Sequence, residues 1–109
     1  MADVNEGIEL LYTKDCINWE QALENLEIAL KNLDISEDIK KVMLYTQDEA
    51  ITYKFFASPT VHINGVDIDK RFRNISRRSL GKERPYFYKG KSYSSPPVEL
   101  IEEALKELL

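Results

Sequence analysis

The stretch from Ile8 to Leu33 constrains this chain more than any other. Ile8-Glu9-Leu10-Leu11-Tyr12 is a nearly continuous apolar run, the pattern of a strand covered on both faces. Thr13-Lys14-Asp15-Cys16-Ile17-Asn18 is a short loop holding the only cysteine. From Trp19 onward the apolar positions Trp19, Ala22, Leu23, Leu26, Ala29, Leu30 and Leu33 share one helical face, with Glu20, Glu24, Asn25, Lys31 and Asn32 on the other. Asn18 is placed to cap this helix, and Gln21 completes the capping-box spacing. A cysteine at such a junction meets unpaired N–H groups and the positive end of the helix dipole, which together favour thiolate over thiol.

The next elements follow from the same logic. Ile39 to Tyr45 reads as a second strand with Lys40 and Lys41 at its entry, and the helix between makes the two strands parallel. Thr46-Gln47-Asp48-Glu49 is a capping box that opens a short helix through Ala50, Ile51 and Phe55. It ends before Pro59, which pushes Ser58 out of the helical region. Thr60-Val61-His62-Ile63, Asn64-Gly65 and Val66-Asp67-Ile68-Asp69 form a hairpin signal, since Asn-Gly favours a type I′ turn. A last helix begins near Pro97 and buries Val98, Ile101, Ala104, Leu105 and Leu108. Between hairpin and last helix lie about 26 residues, Lys70 to Ser95, with little helical period. Within them Arg84-Pro85-Tyr86-Phe87-Tyr88 reads as an extra strand ended by a Lys89-Gly90-Lys91 turn.

Composition narrows the function classes. A chain of 109 residues with 43% apolar and 31% charged residues suits one domain spanning 1–109, with a core that needs no disulfide or structural metal. One cysteine excludes an intrachain disulfide, and one Cys with one His makes a structural zinc site implausible. No apolar run approaches the ~18–20 residues that span a bilayer. Met1 to Glu6 carries acid and lacks the apolar stretch of a signal peptide, so a cytoplasmic address, a monomer and no membrane contact are expected. The net charge of −4 hides an asymmetry. Lys70 to Lys91 carries about +8 and the remainder about −12.

The order β-α-β-α-β-β-α, with a cysteine where the first strand meets the first helix and a proline just before the third strand, resembles the thioredoxin fold. The resemblance is closest to small single-domain thioredoxin-like proteins described as glutaredoxin-like or alkylmercury-lyase-like. It rests on four pieces: Tyr12 to Trp19, Thr46 to Ala50, Ser58-Pro59-Thr60-Val61, and Ser94-Ser95-Pro96-Pro97-Val98. It implies an α/β fold with a central mixed four-stranded sheet flanked by helices, and an insertion at about 70–95 before the last helix. It also implies a cis Pro59 facing Cys16. Two departures stand out. Trp19 occupies the position three after Cys16, where a dithiol thioredoxin has its second cysteine, and the stretch Glu83-Arg84-Pro85-Tyr86 has no cysteine either. Dithiol chemistry within the chain is therefore closed.

These residues allow two readings of the site. Cys16 is either a reactive thiolate, favoured by Lys14 and opposed by Asp15, or a small apolar residue in an inert relic site. If reactive, it works as a monothiol, forming a mixed disulfide with glutathione, another low-molecular-weight thiol or a protein thiol that an outside thiol resolves. Capture of a soft metal or mercurial by a lone thiolate is a weaker variant, and no metal or cofactor is expected. Substrate contacts are expected from Lys14, Asp15, Trp19, Ser58, Pro59 and Thr60. Trp19 either covers the thiol or opens the apolar helix face, and the backbone beside Pro59 is expected to pair with an extended ligand. His62 is expected to be an outward or half-buried strand residue, and Asp67 and Asp69 to lie on a solvated strand face.

The alternative centre is the basic run, interleaved with Phe72, Tyr86, Phe87, Tyr88 and Tyr93. That composition suits an anionic partner, either an acidic protein or single-stranded nucleic acid, on a non-catalytic binding module. A solvated basic loop is its simpler reading, and a pI near 5.0 argues against a dedicated nucleic-acid binder.

Overall fold

The computed structural model of this chain describes residues 6–109, so most of the acidic start weighed above lies outside the described residues. Strand β1 (Ile8–Thr13) leads into helix α1 (Trp19–Asn32), strand β2 (Ile39–Leu44), helix α2 (Gln47–Thr52) and the hairpin of β3 (Thr60–Ile63) and β4 (Val66–Asp67). A 3₁₀ turn (Lys70–Phe72), a second hairpin of β5 (Tyr86–Tyr88) and β6 (Lys91–Tyr93), and helix α3 (Val98–Leu108) complete the order. The main sheet is mixed, in the order β2-β1-β3-β4. β1 runs parallel to β2 and antiparallel to β3.

Alternation along β1 divides the interior in two. Ile8, Leu10 and Tyr12 meet α1 and α3 through Ala22, Leu26, Ala29, Ile101 and Leu105. Leu11 faces the other way, onto Leu44, Ala50 and Phe55. Each fully buried Leu or Ile contributes ~1.5–3 kcal/mol of apolar burial, so the α1–α3 layer carries the larger share of the packing. Glu9 alternates onto the second face, is wholly buried, and ion-pairs with Lys40 of β2 at 3.1 Å. The apolar run in β1 is therefore interrupted by a paired charge.

Both helix endings that precede a loop have the same chemistry. In α1, Asp34 adopts φ 57°, the Ile35 N–H returns to the Leu30 carbonyl at 2.9 Å, and the Asp34 N–H returns to Lys31 at 3.1 Å. In α2, Lys54 adopts φ 56°, the Phe55 N–H returns to Ala50 at 2.8 Å, and the Lys54 N–H returns to Ile51 at 3.2 Å. These pairs are Schellman motifs. The second corrects the expected extent of α2: the left-handed Lys54 ends the helix before Phe55 and swings that ring into the core, whereas Ile51 stays 56% exposed. The Thr46 capping box is present, with Thr46 Oγ1 accepting from the Glu49 N–H and the Glu49 carboxylate accepting from the Thr46 N–H. The box expected at Asn18 is not, because Asn18 already has helical backbone angles (φ −102°, ψ 0°) and its side chain makes no cap bond. Gln21 instead donates to Asn25.

The segment expected as a loop is ordered by its own contacts. Lys89 (φ 50°) and Gly90 (φ 80°) make the tight turn between β5 and β6, so the extra strand at Tyr86–Tyr88 gains a partner in Lys91–Tyr93. Asn64 (φ 52°) and Gly65 (φ 79°) form the turn of the β3–β4 hairpin in the left-handed region that a type I′ turn requires. Pro97 precedes α3 as its cap residue rather than opening its first turn.

Candidate functional site

The parallel strands β1 and β2 end side by side, and the cleft at their carboxyl ends is where an open sheet offers a ligand its backbone ends. Thr13, Lys14, Asp15 and Cys16 line this cleft from the β1–α1 loop, Leu44 and Tyr45 from the end of β2, Ser58 from the loop before β3, and Leu80 to Glu83 from the long segment. Its volume is about 440 Å³. Cys16 is partly exposed. Its N–H returns to the Thr13 carbonyl at 3.1 Å, which folds the loop into a tight turn. Helix α1 begins at Trp19, so Cys16 stands three residues before the helix rather than in its first turn.

The expected site residues divide. Lys14, Asp15, Cys16 and Ser58 come together around the cleft, and the Ser58 hydroxyl accepts from the Thr13 N–H at 3.2 Å. Trp19, Pro59 and Thr60 are not part of the cleft wall. Trp19 stacks on the Tyr12 ring at 4.5 Å with the planes 9° apart, so it packs as a member of the helix face. The Ser58–Pro59 bond is cis, and the Pro59 carbonyl accepts from the Tyr86 hydroxyl at 2.5 Å. The Thr60 hydroxyl is buried, bonded to the Ala57 carbonyl and approached by Arg84 at 3.3 Å. Sequence reasoning did not find Leu44, Tyr45, Leu80, Gly81 and Lys82, because only tertiary contact brings them to the cysteine.

The backbone beside Pro59 is also differently used than expected. The Ser58 N–H donates to the Lys82 carbonyl at 3.0 Å, and its own carbonyl accepts from the Arg84 N–H at 2.9 Å. Ser58 and Glu83 thus form an isolated parallel bridge. The groups expected to pair with an extended ligand pair with this chain.

Behind the cleft lies a buried polar cluster that corrects three further expectations. Asp67 and Asp69 are 7% and 5% exposed and His62 is 3% exposed, so none of them lies on a solvated face. Alternation predicts that the two aspartates share a face; it does not predict that the segment after β4 folds over that face and dries it. Arg84 holds Asp67 through two bonds, Nη1–Oδ2 at 2.6 Å and Nη2–Oδ1 at 2.7 Å, and its guanidinium lies 4.0 Å from the Phe72 ring centre and 4.4 Å from that of Tyr86. Burial, the largest effect, pushes the His62 imidazole down from 6.5 to about 4; Asp67 opposes this, and Arg84, Arg78 and Lys54 add to it. His62 Nε2 lies 3.9 Å from Asp67 Oδ2, and the imidazole is neutral there near pH 7, so the pair is not an ion pair. Burial likewise raises the Tyr86 phenol, which keeps its proton as a donor to Pro59.

The basic, aromatic-rich segment uses many of its own charges internally. Arg73 is fixed by Glu107 (3.0 and 3.1 Å) and by the Asp67 carbonyl (2.7 Å), and Arg71 donates to the Phe87 carbonyl at 2.6 Å. Arg71 also stacks on Phe87, Arg77 on Phe56 and Lys89 on Tyr88, so cations and rings face one another. A larger hollow of about 560 Å³ lies between the 3₁₀ turn, β5 and α3. No cysteine lines it. Among the described residues no group of three or more His, Cys, Asp or Glu side chains is arranged to hold a metal ion. No described helix is long and apolar enough to cross a membrane.

No curated protein and no solved structure matches the chain. Residues 12–105, which include both the Cys16 loop and the segment that completes the cleft, match the family described as a domain of unknown function (DUF2703), and the chain belongs to that family.

Proposed function

We propose that this protein is a thioredoxin-like monothiol that exchanges disulfides with low-molecular-weight thiols such as glutathione. The observation that carries this reading is the partly exposed Cys16 on an open cleft at the ends of two parallel strands, which Ser58 also lines. The element order and the placement of Ser58-Pro59 before β3 support the thioredoxin-like assignment. In the forward step the Cys16 thiolate attacks one sulfur of an oxidised small thiol. The S–S bond breaks, one small thiolate leaves, and a mixed disulfide forms at Cys16. The thiolate of a different small thiol then attacks the outer sulfur, releasing the Cys16 thiolate and forming the disulfide of the two small thiols, so no second protein cysteine is consumed. Lys14 and Lys82 offer cations to the carboxylates of such a thiol, and Asp15 and Glu83 offer anions to its ammonium group.

Mass spectrometry after incubation with oxidised glutathione tests this directly. One adduct at Cys16, reversed by reduced glutathione and absent in Cys16→Ser, is the expected outcome. An intact, folded protein that alkylates with iodoacetamide yet never forms the glutathione adduct overturns it.

A further inference from the structure

Ser58 lines the same cleft as Cys16, and the main chain beside Pro59 is where the sequence predicts that an extended ligand pairs by β-strand addition. The Ser58 N–H and carbonyl are bonded to residues 82 and 84 of the same chain, at 3.0 and 2.9 Å. The adjoining Pro59 carbonyl is taken by the Tyr86 hydroxyl. The segment that does this is tied down: Arg84 is buried, held through both terminal nitrogens by Asp67, and packed against two aromatic rings. Pro85 lacks an N–H, so the added ladder stops where Arg84 turns inward.

We infer that residues 82–84 are a built-in strand filling the peptide position of the Cys16 cleft, which restricts the site to disulfides of small amino-acid-derived thiols and excludes cysteines embedded in extended polypeptide. This inference rests on the reading of Cys16 as the reacting group. The remaining space is about 440 Å³ and carries both charge signs, Lys14 and Lys82 with Asp15 and Glu83, as a zwitterionic thiol requires. The Arg84–Asp67 pair is the positioning device, because Arg84 carries both the N–H that closes the bridge and the guanidinium that anchors it.

The test compares two electrophiles on the full chain: iodoacetamide, and a ten-residue extended peptide bearing a chloroacetamide on its central side chain. Each rate at Cys16 is normalised to the rate with free reduced glutathione. The peptide is expected to be disfavoured about 30-fold, the worth of the two backbone hydrogen bonds between Ser58 and residues 82 and 84 that it must displace. Arg84→Gln is expected to narrow that gap while leaving the iodoacetamide rate unchanged. Normalised rates equal within about twofold in the unaltered protein overturn the inference. If Arg84→Gln does not fold, amide hydrogen exchange on the unaltered protein decides: Ser58 and Arg84 N–H groups are expected to be protected, and exchange at open-loop rates overturns it. Because alkylation needs no disulfide chemistry, failure of glutathione exchange with peptide discrimination retained would sink the proposed function and the choice of substrate while leaving residues 82–84 in the peptide position, and loss of peptide discrimination would sink this inference alone.

Discussion

Arg84 grips Asp67 with two hydrogen bonds of 2.6 and 2.7 Å, across 17 positions of sequence, with 3% and 7% of the two residues exposed. Taking both charges out of water is costly, and the geometry offsets that cost only while both partners are present. Arg84→Met is expected to destabilise the protein by ~3–5 kcal/mol, because it leaves the Asp67 carboxylate buried and uncompensated. Asp67→Leu combined with Arg84→Met is expected to recover most of that loss. Urea unfolding of the two single variants and the double variant measures the coupling; an additive double variant would contradict the pairing.

His62 makes stability depend on pH. An unfolded histidine titrates near 6.5, whereas the folded imidazole titrates at about 4. Between those values the unfolded chain takes up a proton that the folded chain refuses. Stability is therefore fully present above pH ~6.5 and falls as pH drops toward 4, by up to ~1.4 kcal/mol per unit and about 3 kcal/mol in all. Unfolding free energies at pH 7, 6 and 5 should follow that slope, and His62→Gln should flatten it. An unchanged slope in the variant would show that another group is responsible.

Helix α2 is only six residues long and depends on its ends. Thr46→Ala removes the acceptor of the Glu49 N–H and is expected to cost ~1 kcal/mol. Lys54→Gly relieves a side chain held at φ 56° and is expected to stabilise by up to ~1 kcal/mol. Thermal unfolding that moves both variants in the same direction would refute this account of the helix ends.

Trp19 stacks on Tyr12 and is not among the residues that line the Cys16 cleft. Trp19→Phe keeps a ring on the α1 face and is expected to leave the alkylation rate of Cys16 unchanged within about twofold, at a stability cost below ~1.5 kcal/mol. A large rise in that rate would mean that the indole shields the sulfur after all.

Much of the architecture was legible because it is local. The apolar spacing from Trp19 to Leu33, the Thr46–Glu49 box and the Asn64-Gly65 turn each carry their structural instruction within a few residues, and the elements appear where those patterns stand. The Cys16 loop, with Lys14 and Asp15, was legible for the same reason. Asn18 shows the limit, since a residue able to cap a helix does so only when its own backbone leaves the helical region.

What the sequence by itself determined is the order of the four main-sheet strands and three helices, the parallel β1–β2 pair and the position of the one thiol between strand and helix. Tertiary structure alone decided which polar faces are dry and which backbone groups are free. Alternation places Asp67 and Asp69 on one side of a strand, but their burial depends on Arg84 arriving from a segment with no regular period. In the same way Ser58 looks available beside a proline until residues 82–84 are folded against it. Periodicity reports a direction from the backbone; only the partner that fills that direction sets solvation, charge and access.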